Sequence, residues 1–469
     1  MIHGWLRTRR LAILVGALTG FVACAPLADF VERSGNKIAD PPTPTSAIAQ
    51  GVHDRMLVAD LHADTLLWRR GLVYSNPDSQ VDLARIVKGN LGLQVFTMAT
   101  RVPAEGRCIH ERNFDPAPLL ALINGWPAPT WSSANARAVY QAEALRQAVK
   151  RSNDTPTLAS PRGGEQQVHL TFIESLDDLG SWLRRRYRSE TPDPHSIGVL
   201  LGAEGAHAFD DPDGPEFERL CQLGLRMVAP THRFDNDYAG SSEGCIRGTL
   251  TEKGIRLINM AVKRRMIVDL AHASHPSYEA AIGLLGRARH PAVVSHSGLQ
   301  GYLDRIDVKG GHRANSDDEL IWLAQTGGVF GIGFWPAAVG VPSVDNVVGA
   351  ILYAVEVLTR AQGAAPVKGG SHAITRASEH IALGSDWDGA VEVAIDPARL
   401  AAITERLLVH LEPDDVANVM GLNACRVIAQ SLGAGDYTAA RKFCGVAALR
   451  TAAQPEQAAR PLKRPDSGE

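Results

Sequence analysis

Short apolar segments recur along the middle of the chain, and most of them are followed directly by a histidine or a carboxylate. Each segment is four to seven residues long, which favours buried β-strands over helices. The segments are residues 56–61, 93–98, 197–203, 225–229, 266–271, 292–295, 328–334 and 381–385. Continuous apolar runs of this kind are typical of parallel strands that are covered on both faces.

Segments with helical periodicity lie between many of these strands. Thr249 and Glu252 have the spacing of a capping box, and Ser316 and Glu319 repeat it before a second helix that Gly327 can end. Alternating strands and helices predict an α/β fold, and eight strands predict a (β/α)8 TIM-like barrel of the metal-dependent amidohydrolase type. An open, doubly wound sheet is the alternative, but its phosphate-binding GxGxxG motif is absent.

The N-terminus reads as a targeting segment that is separate from the fold. Arg7, Arg9 and Arg10 precede the apolar residues 11–23, and Cys24 follows as in a lipoprotein signal. The apolar run is shorter than the about 20 residues that span a bilayer. Residues 1–24 therefore predict a bacterial envelope lipoprotein, facing the periplasm or the cell surface, that is held to the membrane by a lipid anchor. Simple cleavage, giving a soluble periplasmic or secreted protein, is the alternative.

The remaining sequence divides into three parts. Residues 25–50 are polar and proline-rich and predict an extended linker. Residues 51–436 predict the barrel domain, with an insertion of helices and loops near the barrel mouth at about 100–167. Residues 437–469 lack apolar periodicity and predict a partly disordered tail.

Composition and cysteine spacing restrict the function classes. The chain is 45% hydrophobic and 21% charged with a net charge of −3, so we expect no nucleic-acid partner. After Cys24, five cysteines remain, and their spacing fits no zinc knuckle. They are Cys108, Cys221, Cys245, Cys425 and Cys444. An oxidising compartment permits disulfides whose pairing the sequence does not specify, and Cys425 reads as a buried small hydrophobe.

The polar residues at the strand ends carry the candidate chemistry. His62 and Asp64 alternate, so on a strand they point to the same side. Five further groups follow later strands: Glu204, His232, His272, His296 and Asp386. The carboxyl ends of barrel strands meet in one place, so we expect a single site there. Imidazole and carboxylate ligands suit zinc, with manganese or cobalt as alternatives, and paired metals activate water for hydrolysis. Glu204 is suited to bridge two metals, and Asp386 to transfer a proton.

Several motifs resemble the membrane dipeptidase (renal dipeptidase) family of binuclear zinc enzymes, over about residues 52–433. The motifs are Asp60-Leu61-His62-Ala63-Asp64, Glu204-Gly205, Thr231-His232, Asp269-Leu270-Ala271-His272, Ser295-His296-Ser297, Gly384-Ser385-Asp386-Trp387-Asp388-Gly389 and Gly421-Leu422-Asn423. The resemblance implies two zinc ions per chain and the hydrolysis of free dipeptides through a metal-bridging hydroxide. A homodimer is left open.

The resemblance also implies a role for each site residue. His62 and Asp64 would bind one zinc, His272 and His296 the other, and Glu204 would bridge them. His232 would contact the substrate carbonyl and stabilise the oxyanion, and Asp386 would contact the substrate and transfer the proton. Arg313 would hold the carboxylate of the dipeptide. The family has Arg-Asn-x-x-Asp where this chain has Arg313-Ala314-Asn315-Ser316-Asp317, so Arg305 is the alternative.

Neighbouring residues compete for some of these roles. His275 competes with His272, and Asp388 competes with Asp386. Strand position favours His272 and Asp386, and Asp388 is expected to orient the turn. Asp269 is expected to support the ligands rather than bind metal. Structural or exposed positions are expected for His207, His372 and His380.

The chain is therefore predicted to be a zinc-dependent dipeptidase acting on small dipeptides. Two alternatives are open. One is a related binuclear metal hydrolase acting on N-acyl amino acids, lactams or lactones. The other is an inactive, peptide-binding lipoprotein.

Overall fold

The computed structural model describes residues 26–445, except for 42–43, 74–78, 103–107, 110–111, 156–157, 160–164, 190 and 310–311. Its strands are β1 (Lys37–Ile38), β2 (Val58–Ala63), β3 (Leu91–Ala99), β4 (Leu158–Ala159), β5 (Glu165–Gln166), β6 (His169–Phe172), β7 (Ser196–Glu204), β8 (Leu225–Val228), β9 (Ile267–Asp269), β10 (Ala292–Ser297), β11 (Val329–Ile332), β12 (Ile381–Leu383) and β13 (Glu392–Val393).

Eight parallel strands close into a barrel in the order β2-β3-β7-β8-β9-β10-β11-β12, and β12 pairs back onto β2. The longest ladder joins β3 to β7, from Leu93 opposite Gly198 to Ala99 opposite Glu204. All eight predicted strands are confirmed, and closure of the sheet excludes the open, doubly wound alternative. The sequence did not predict β6, which pairs with the first half of β7 outside the ring.

The helices run between the strands and cover the outer face of the barrel. They are α1 (residues 26–35), α2 (Ala47–His53), α3 (Leu83–Lys88), α4 (Ala117–Ile123), α5 (Ala134–Asp154), α6 (Leu176–Arg186), α7 (Pro215–Gln222), α8 (Glu252–Lys263), α9 (His275–Arg287), α10 (Gln300–Arg305), α11 (Asp317–Ala324), α12 (Pro336–Val339), α13 (Val344–Arg360), α14 (Ala401–Leu407), α15 (Pro413–Ala417), α16 (Asn423–Ser431) and α17 (Tyr437–Phe443). Within the described ranges, none of these helices combines the length and the apolar character that a membrane span needs.

One of the two predicted helix caps is confirmed. Ser316 and Glu319 form the reciprocal capping box of α11, and Gly327, with φ +77°, follows that helix. The prediction for α8 was wrong, because the side chain of Thr251 accepts the bond from the N–H of Gly254. The hydroxyl of Thr249 instead donates to the carbonyl of Pro276.

The prediction of an extended linker at 25–50 was wrong for most of its described residues. Residues 26–35 form α1, β1 pairs in parallel with β13, and Ser46 caps α2. The helix is held because Ala28 and Glu32 are buried against the body of the protein. The predicted signal, residues 1–24, lies outside the described residues.

The C-terminal boundary also moves. Residues 437–443 form α17, and Cys444 is joined by a disulfide to Cys425, which is therefore not a free buried thiol. A second disulfide joins Cys108 and Cys245. Among the described residues, Cys221 is unpaired. The predicted disordered tail from 446 onward lies outside the described residues.

The long segment at 100–167 contains α4, α5 and the β4–β5 hairpin. Nε of Arg137 in α5 donates to the carbonyl of Thr100 at 2.8 Å, and Nε2 of Gln141 donates to that of Ala99 at 3.1 Å. These bonds fix α5 against the end of β3. The helix thus occupies the position of a crossover helix between β3 and β7.

The Gly421-Leu422-Asn423 motif closes the amino end of the barrel. A Cβ atom at Gly421 would lie 2.3 Å from the carbonyl oxygen of Leu57, so only glycine permits this approach to β2. The side-chain amide of Asn423 donates to the carbonyls of Ser378 and Ile381 at 2.7 and 2.8 Å. The motif is therefore structural.

Acid should destabilise the fold through histidines that are buried outside the strand-end site. His290 is 7% exposed, and its Nε2–H donates to the carbonyl of Met266 at 2.9 Å. Burial lowers the pKa of His290 from 6.5 to about 4. Between pH 6.5 and pH 4, His290 therefore binds a proton in the unfolded chain but not in the folded chain. The free energy of unfolding should fall as pH decreases from 6.5 to 4, by up to about 1.4 kcal/mol per pH unit for this residue.

Chemical denaturation at pH 7 and pH 5 tests this expectation. The loss of stability between the two pH values should be about 2 kcal/mol smaller in His290→Gln than in wild type. His410→Gln, at an exposed position, is the control. An equal loss in wild type and His290→Gln would contradict the prediction.

Candidate metal centre and active site

The carboxyl end of β2 supplies the first two site residues. His62 and Asp64 point to the same side, as their alternation predicts, and His62 Nε2 lies 3.7 Å from Asp64 Oδ1. The hydroxyl of Thr97, on the neighbouring β3, donates to Asp64 Oδ1 at 2.7 Å. Both site residues are almost fully buried, so their polar atoms are directed at each other rather than at solvent.

Glu204, the last residue of β7, lies at the centre of the site. Its Oε1 atom is 3.0 Å from His272 Nε2, 3.5 Å from His296 Nε2 and 3.6 Å from His62 Nε2. Its Oε2 atom is 3.4 Å from His232 Nε2. A single buried carboxylate thus faces four imidazole rings that come from four different strand ends.

Two site residues have left-handed backbone conformations. His272 and Asp386 have φ values of +65° and +61°, each just after the end of its strand. Such residues cost on the order of 1–3 kcal/mol and persist where the surrounding structure fixes them. The sharp turn brings Asp386 Oδ1 to 3.8 Å from His62 Nε2.

Hydrogen bonds behind the histidines orient their rings. His272 Nδ1 lies 3.2 Å from Oε2 of Glu243, and His296 Nδ1 lies 2.9 Å from the hydroxyl of Ser295. The Ser295 hydroxyl donates to Asp269 Oδ2 at 2.6 Å, so Ser295 links Asp269 to the His296 ring. With Nδ1 bonded in this way, both imidazoles can direct an Nε2 lone pair at Glu204.

Sequence reasoning missed Glu243 and Thr97. Thr97 carried a usable signal, because it and Gln94 are the two polar residues in a strand that is apolar elsewhere. Glu243 lies in a loop with no periodicity, and the contact of its carboxylate with His272 depends on the folded path of that loop.

Burial and neighbouring charges shift the pKa values of the site residues in opposite directions. Burial and the nearby Asp64 raise the pKa of Glu204 well above its ordinary value. Burial would lower the pKa of His62, but the facing carboxylates, Glu204 foremost, raise it to about 10. Burial lowers the pKa values of His272 and His296 well below the ordinary value.

A divalent cation fits this donor set. Oε2 of Glu204 is buried without a hydrogen-bond partner among the described residues. Three sets of residues can each offer a metal its donor atoms, and inside each set these atoms all lie within 4.8 Å of one another. They are His62, Asp64 and Glu204; Glu204, His232 and His272; and His62, Asp269 and His296. Buried carboxylates and neutral imidazoles at such distances are the ligands that zinc and related metals take.

Arg313, and not Arg305, lies beside the site. Its guanidinium is buried and donates to the Ser297 hydroxyl at 3.0 Å and to the carbonyl of His296 at 2.6 Å. Its Cζ atom lies 5.7 Å from the centroid of the Trp335 ring. The exposed Arg305 instead forms an ion pair with Glu356.

The two competitors at the strand ends lie elsewhere. His275 is exposed and pairs with Glu319. Asp388 accepts hydrogen bonds from the hydroxyl of Thr65, from Arg70 and from the N–H of Gln80, so it orients the turn that carries Asp386.

The three histidines that were expected to be structural or exposed, His207, His372 and His380, make contacts outside the donor set. The ring of His207 stacks on Phe234, and that of His372 stacks on Tyr437. His380 donates from Nδ1 to the carbonyl of Gly328 at 2.9 Å. The structure therefore brings together all eight predicted site residues: His62, Asp64, Glu204, His232, His272, His296, Arg313 and Asp386.

The fold and this site together define a class of protein, the metal-dependent hydrolases built on a (β/α)8 barrel. Residues 46–438 match the family described as membrane dipeptidase (peptidase family M19). The chain belongs to the membrane dipeptidase family, which is a family of metallopeptidases.

Known proteins agree with this assignment. The dipeptidase verJ of Clonostachys rogersoniana is 28% identical over 57% of this chain and 65% of its own length. The curated relatives are matched over about half to two thirds of their length. Two solved structures share the fold at low identity. The probable dipeptidase PvdM from Pseudomonas aeruginosa has a TM-score of 0.59 and 17% identity, over 82% of this chain and 97% of its own. A Rhodobacter sphaeroides metallopeptidase, liganded with a phosphinate mimic of the dipeptide L-Ala-D-Ala, has a TM-score of 0.57 and 18% identity, over 80% and 98%.

Glu243 should influence how firmly the site retains metal. Replacement by glutamine removes the negative charge behind His272 Nδ1 and makes Nε2 of that ring a weaker ligand. We expect Glu243→Gln to weaken retention of divalent metal about tenfold in competition with a chelator, with little change in stability. Glu218→Gln, which alters a surface pair with Arg264, is the matched control. Equal metal retention in both variants would show that Glu243 does not support His272.

Proposed function

We propose that the protein is a zinc-dependent dipeptidase that hydrolyses the peptide bond of free dipeptides. The observation that carries this proposal is the buried carboxylate of Glu204, faced by four imidazoles at one end of the barrel. Membership of a metallopeptidase family supports it. A site that only bound peptides would not require so many buried metal ligands.

The five donor residues would divide between two cations. His62 and Asp64 would hold one, His272 and His296 the other, and Glu204 has two carboxylate oxygens with which to bridge them. When bound, such a pair of cations lowers the pKa of water and polarises the carbonyl of the substrate. Zinc suits imidazole and carboxylate ligands, and manganese or cobalt suits the same set.

Asp386 is the proposed proton-transfer group. Its carboxylate is partly buried and lies 3.8 Å from His62 Nε2, and desolvation raises its pKa to about 7. From there it would accept the proton of the attacking water and donate it to the nitrogen of the leaving amine. Asp388 and the residues bonded to it hold the turn and thereby the direction of the Asp386 side chain.

His232 is proposed to stabilise the oxyanion. Its Nδ1 atom lies 3.2 Å from the carbonyl oxygen of Arg101, which can only accept a hydrogen bond, so Nδ1 carries a proton. Burial lowers the pKa of His232 to about 3, so the ring is neutral in the resting protein. Donation from Nε2 to the oxyanion would therefore require the ring to take up a second proton from solvent as negative charge develops beside it.

We also propose that the protein is an envelope lipoprotein. The signal-like residues 1–24 and Cys24 support this, as do the two disulfides, which persist in oxidising compartments.

Metal content and turnover, measured on one purified sample, test the dipeptidase proposal. Wild type should hold two zinc equivalents and hydrolyse free dipeptides. Glu204→Ala should lose both metal and activity. Each loss should exceed the about 10- to 100-fold loss that is typical when a residue supporting a metal ligand is replaced. Glu279→Ala, which removes an exposed partner of Lys368, is the control.

Other outcomes of that experiment are equally informative. Two metals with hydrolysis of N-acyl amino acids, lactams or lactones, but not of dipeptides, would assign the protein to a related hydrolase. Absence of both metal and activity would refute the enzyme proposal and favour a binding protein.

Arg313 is proposed to hold the free carboxylate of the dipeptide. Its buried, forked guanidinium can form two parallel bonds to a carboxylate, which a lysine ammonium cannot reproduce. Arg313→Lys should raise KM for free dipeptides by about tenfold or more. This corresponds to the loss of about 1.5–3 kcal/mol, the usual contribution of a hydrogen bond to a charged group. Dipeptide amides should be much less affected.

Arg305→Lys is the matched control for this measurement, because Arg305 lies on the surface in an ion pair with Glu356. Its KM should equal that of wild type. If Arg313→Lys affects free dipeptides and their amides equally, Arg313 does not read the carboxylate.

A further inference from the structure

Large apolar side chains are exposed on two helices near the mouth of the barrel. On α1, Leu27 and Phe30 are 47% and 61% exposed, and on α4, Leu119 and Leu122 are 51% and 43% exposed. The spacing of three residues places both members of each pair on one face of their helix. Single exposed apolar residues are ordinary, but paired ones on adjoining helices indicate an interaction surface.

The two helices adjoin because they cover the same buried cluster, Leu67, Trp68 and Ala99. Val31 of α1 and Leu120 of α4 both pack against it. The cluster lies at the carboxyl ends of β2 and β3, since Leu67 follows Asp64 closely and Ala99 is opposite Glu204 in the ladder. The exposed pairs therefore lie beside the active-site mouth.

Two further exposed aromatic residues flank α4 in the sequence. Phe114, just before α4, is 68% exposed, and Trp131, shortly after it, is 41% exposed. We call the set the mouth-side apolar face. It consists of Leu27, Phe30, Phe114, Leu119, Leu122 and Trp131.

Buried ion pairs connect helix α1, which carries part of this face, to the turn at the active site. Glu32 of α1 pairs with Arg70, whose other nitrogen donates to Asp388 at 2.5 Å, in the turn that carries Asp386. Helix α1 is thus held to the body of the barrel by buried charges.

The sequence brings this helix close to the proposed lipid attachment. Cys24 stands only three residues before Leu27. Three residues of chain span at most about 10 Å. A lipid on Cys24 would therefore hold Leu27 within about that distance of the bilayer surface, and Phe30, about one helical turn further on, within about 15 Å.

From these observations we propose that the mouth-side apolar face docks on the lipid surface of the membrane that carries the anchor. The proposal rests on the envelope lipoprotein proposed above. Exposed leucine and aromatic side chains insert readily at the membrane interface and would add to the attachment that the acyl chains provide. The active-site mouth is then turned toward the membrane.

Photocrosslinking in cells of a Gram-negative host tests the docking surface with the full-length chain. Photoreactive benzoylphenylalanine is placed at Phe30 or Leu122, and at Val409 as a control. Val409 is 62% exposed and lies beyond α14, near the amino end of the barrel. We expect a phospholipid adduct at positions 30 and 122 that exceeds the adduct at 409 by at least tenfold. Dipeptide hydrolysis by the same samples, compared with wild type, reports that each variant is folded.

Each alternative occupant gives a different result. Adducts with a second copy of this chain, or with another protein, would overturn membrane docking, as would lipid adducts no stronger than at Val409. Mass spectrometry of the N-terminal peptide reports lipidation of Cys24 separately. A lipidated Cys24 without adducts at 30 and 122 overturns the docking surface and leaves the anchor. Lipid adducts without lipidation support the surface and overturn the anchor.

Discussion

The buried carboxylate of Glu204 is the constraint on which the rest of the site depends. A carboxylate removed from water costs several kcal/mol unless opposite charge or hydrogen bonds compensate. Four imidazoles surround this one, but three of them cannot carry a proton readily because they are buried too. The arrangement is consistent with a protein that completes its charge balance with divalent cations. The closed barrel supplies the dry, rigid setting in which the ligands keep their positions.

Outside the ligands, a second layer of polar contacts holds the strand ends in place. Asp269 and Ser295 fix one imidazole, Glu243 another, and Asp388 fixes the turn of Asp386. The left-handed conformations of His272 and Asp386 show why such support is needed, since an unsupported turn would relax and withdraw the side chain. Arg70 pairs with both Asp388 and Glu32, so a continuous set of polar contacts connects α1 to the site.

The fold and most of the candidate site could be predicted from the sequence, for local reasons. Strand length, apolar continuity and the His or carboxylate after each strand are properties of consecutive residues, and parallel strands in a closed barrel must bring those ends together. Errors arose where a distant partner decided the outcome. Thr249 has the right spacing for a helix cap, but its hydroxyl donates to the carbonyl of Pro276. The polar segment around α1 is ordered because Glu32 forms a buried ion pair with Arg70.

The sequence by itself determined the eight strands, the order of the chemical groups along them and the seven site residues that follow the strands. Only the tertiary structure decided that Arg313 rather than Arg305 lies beside the ligands, that Glu243 contacts His272, and that Cys108 pairs with Cys245. The physical reason is the range of the interaction. Periodicity and side-chain chemistry act between near neighbours in sequence, whereas the meeting of two loops depends on the packed path of the whole chain.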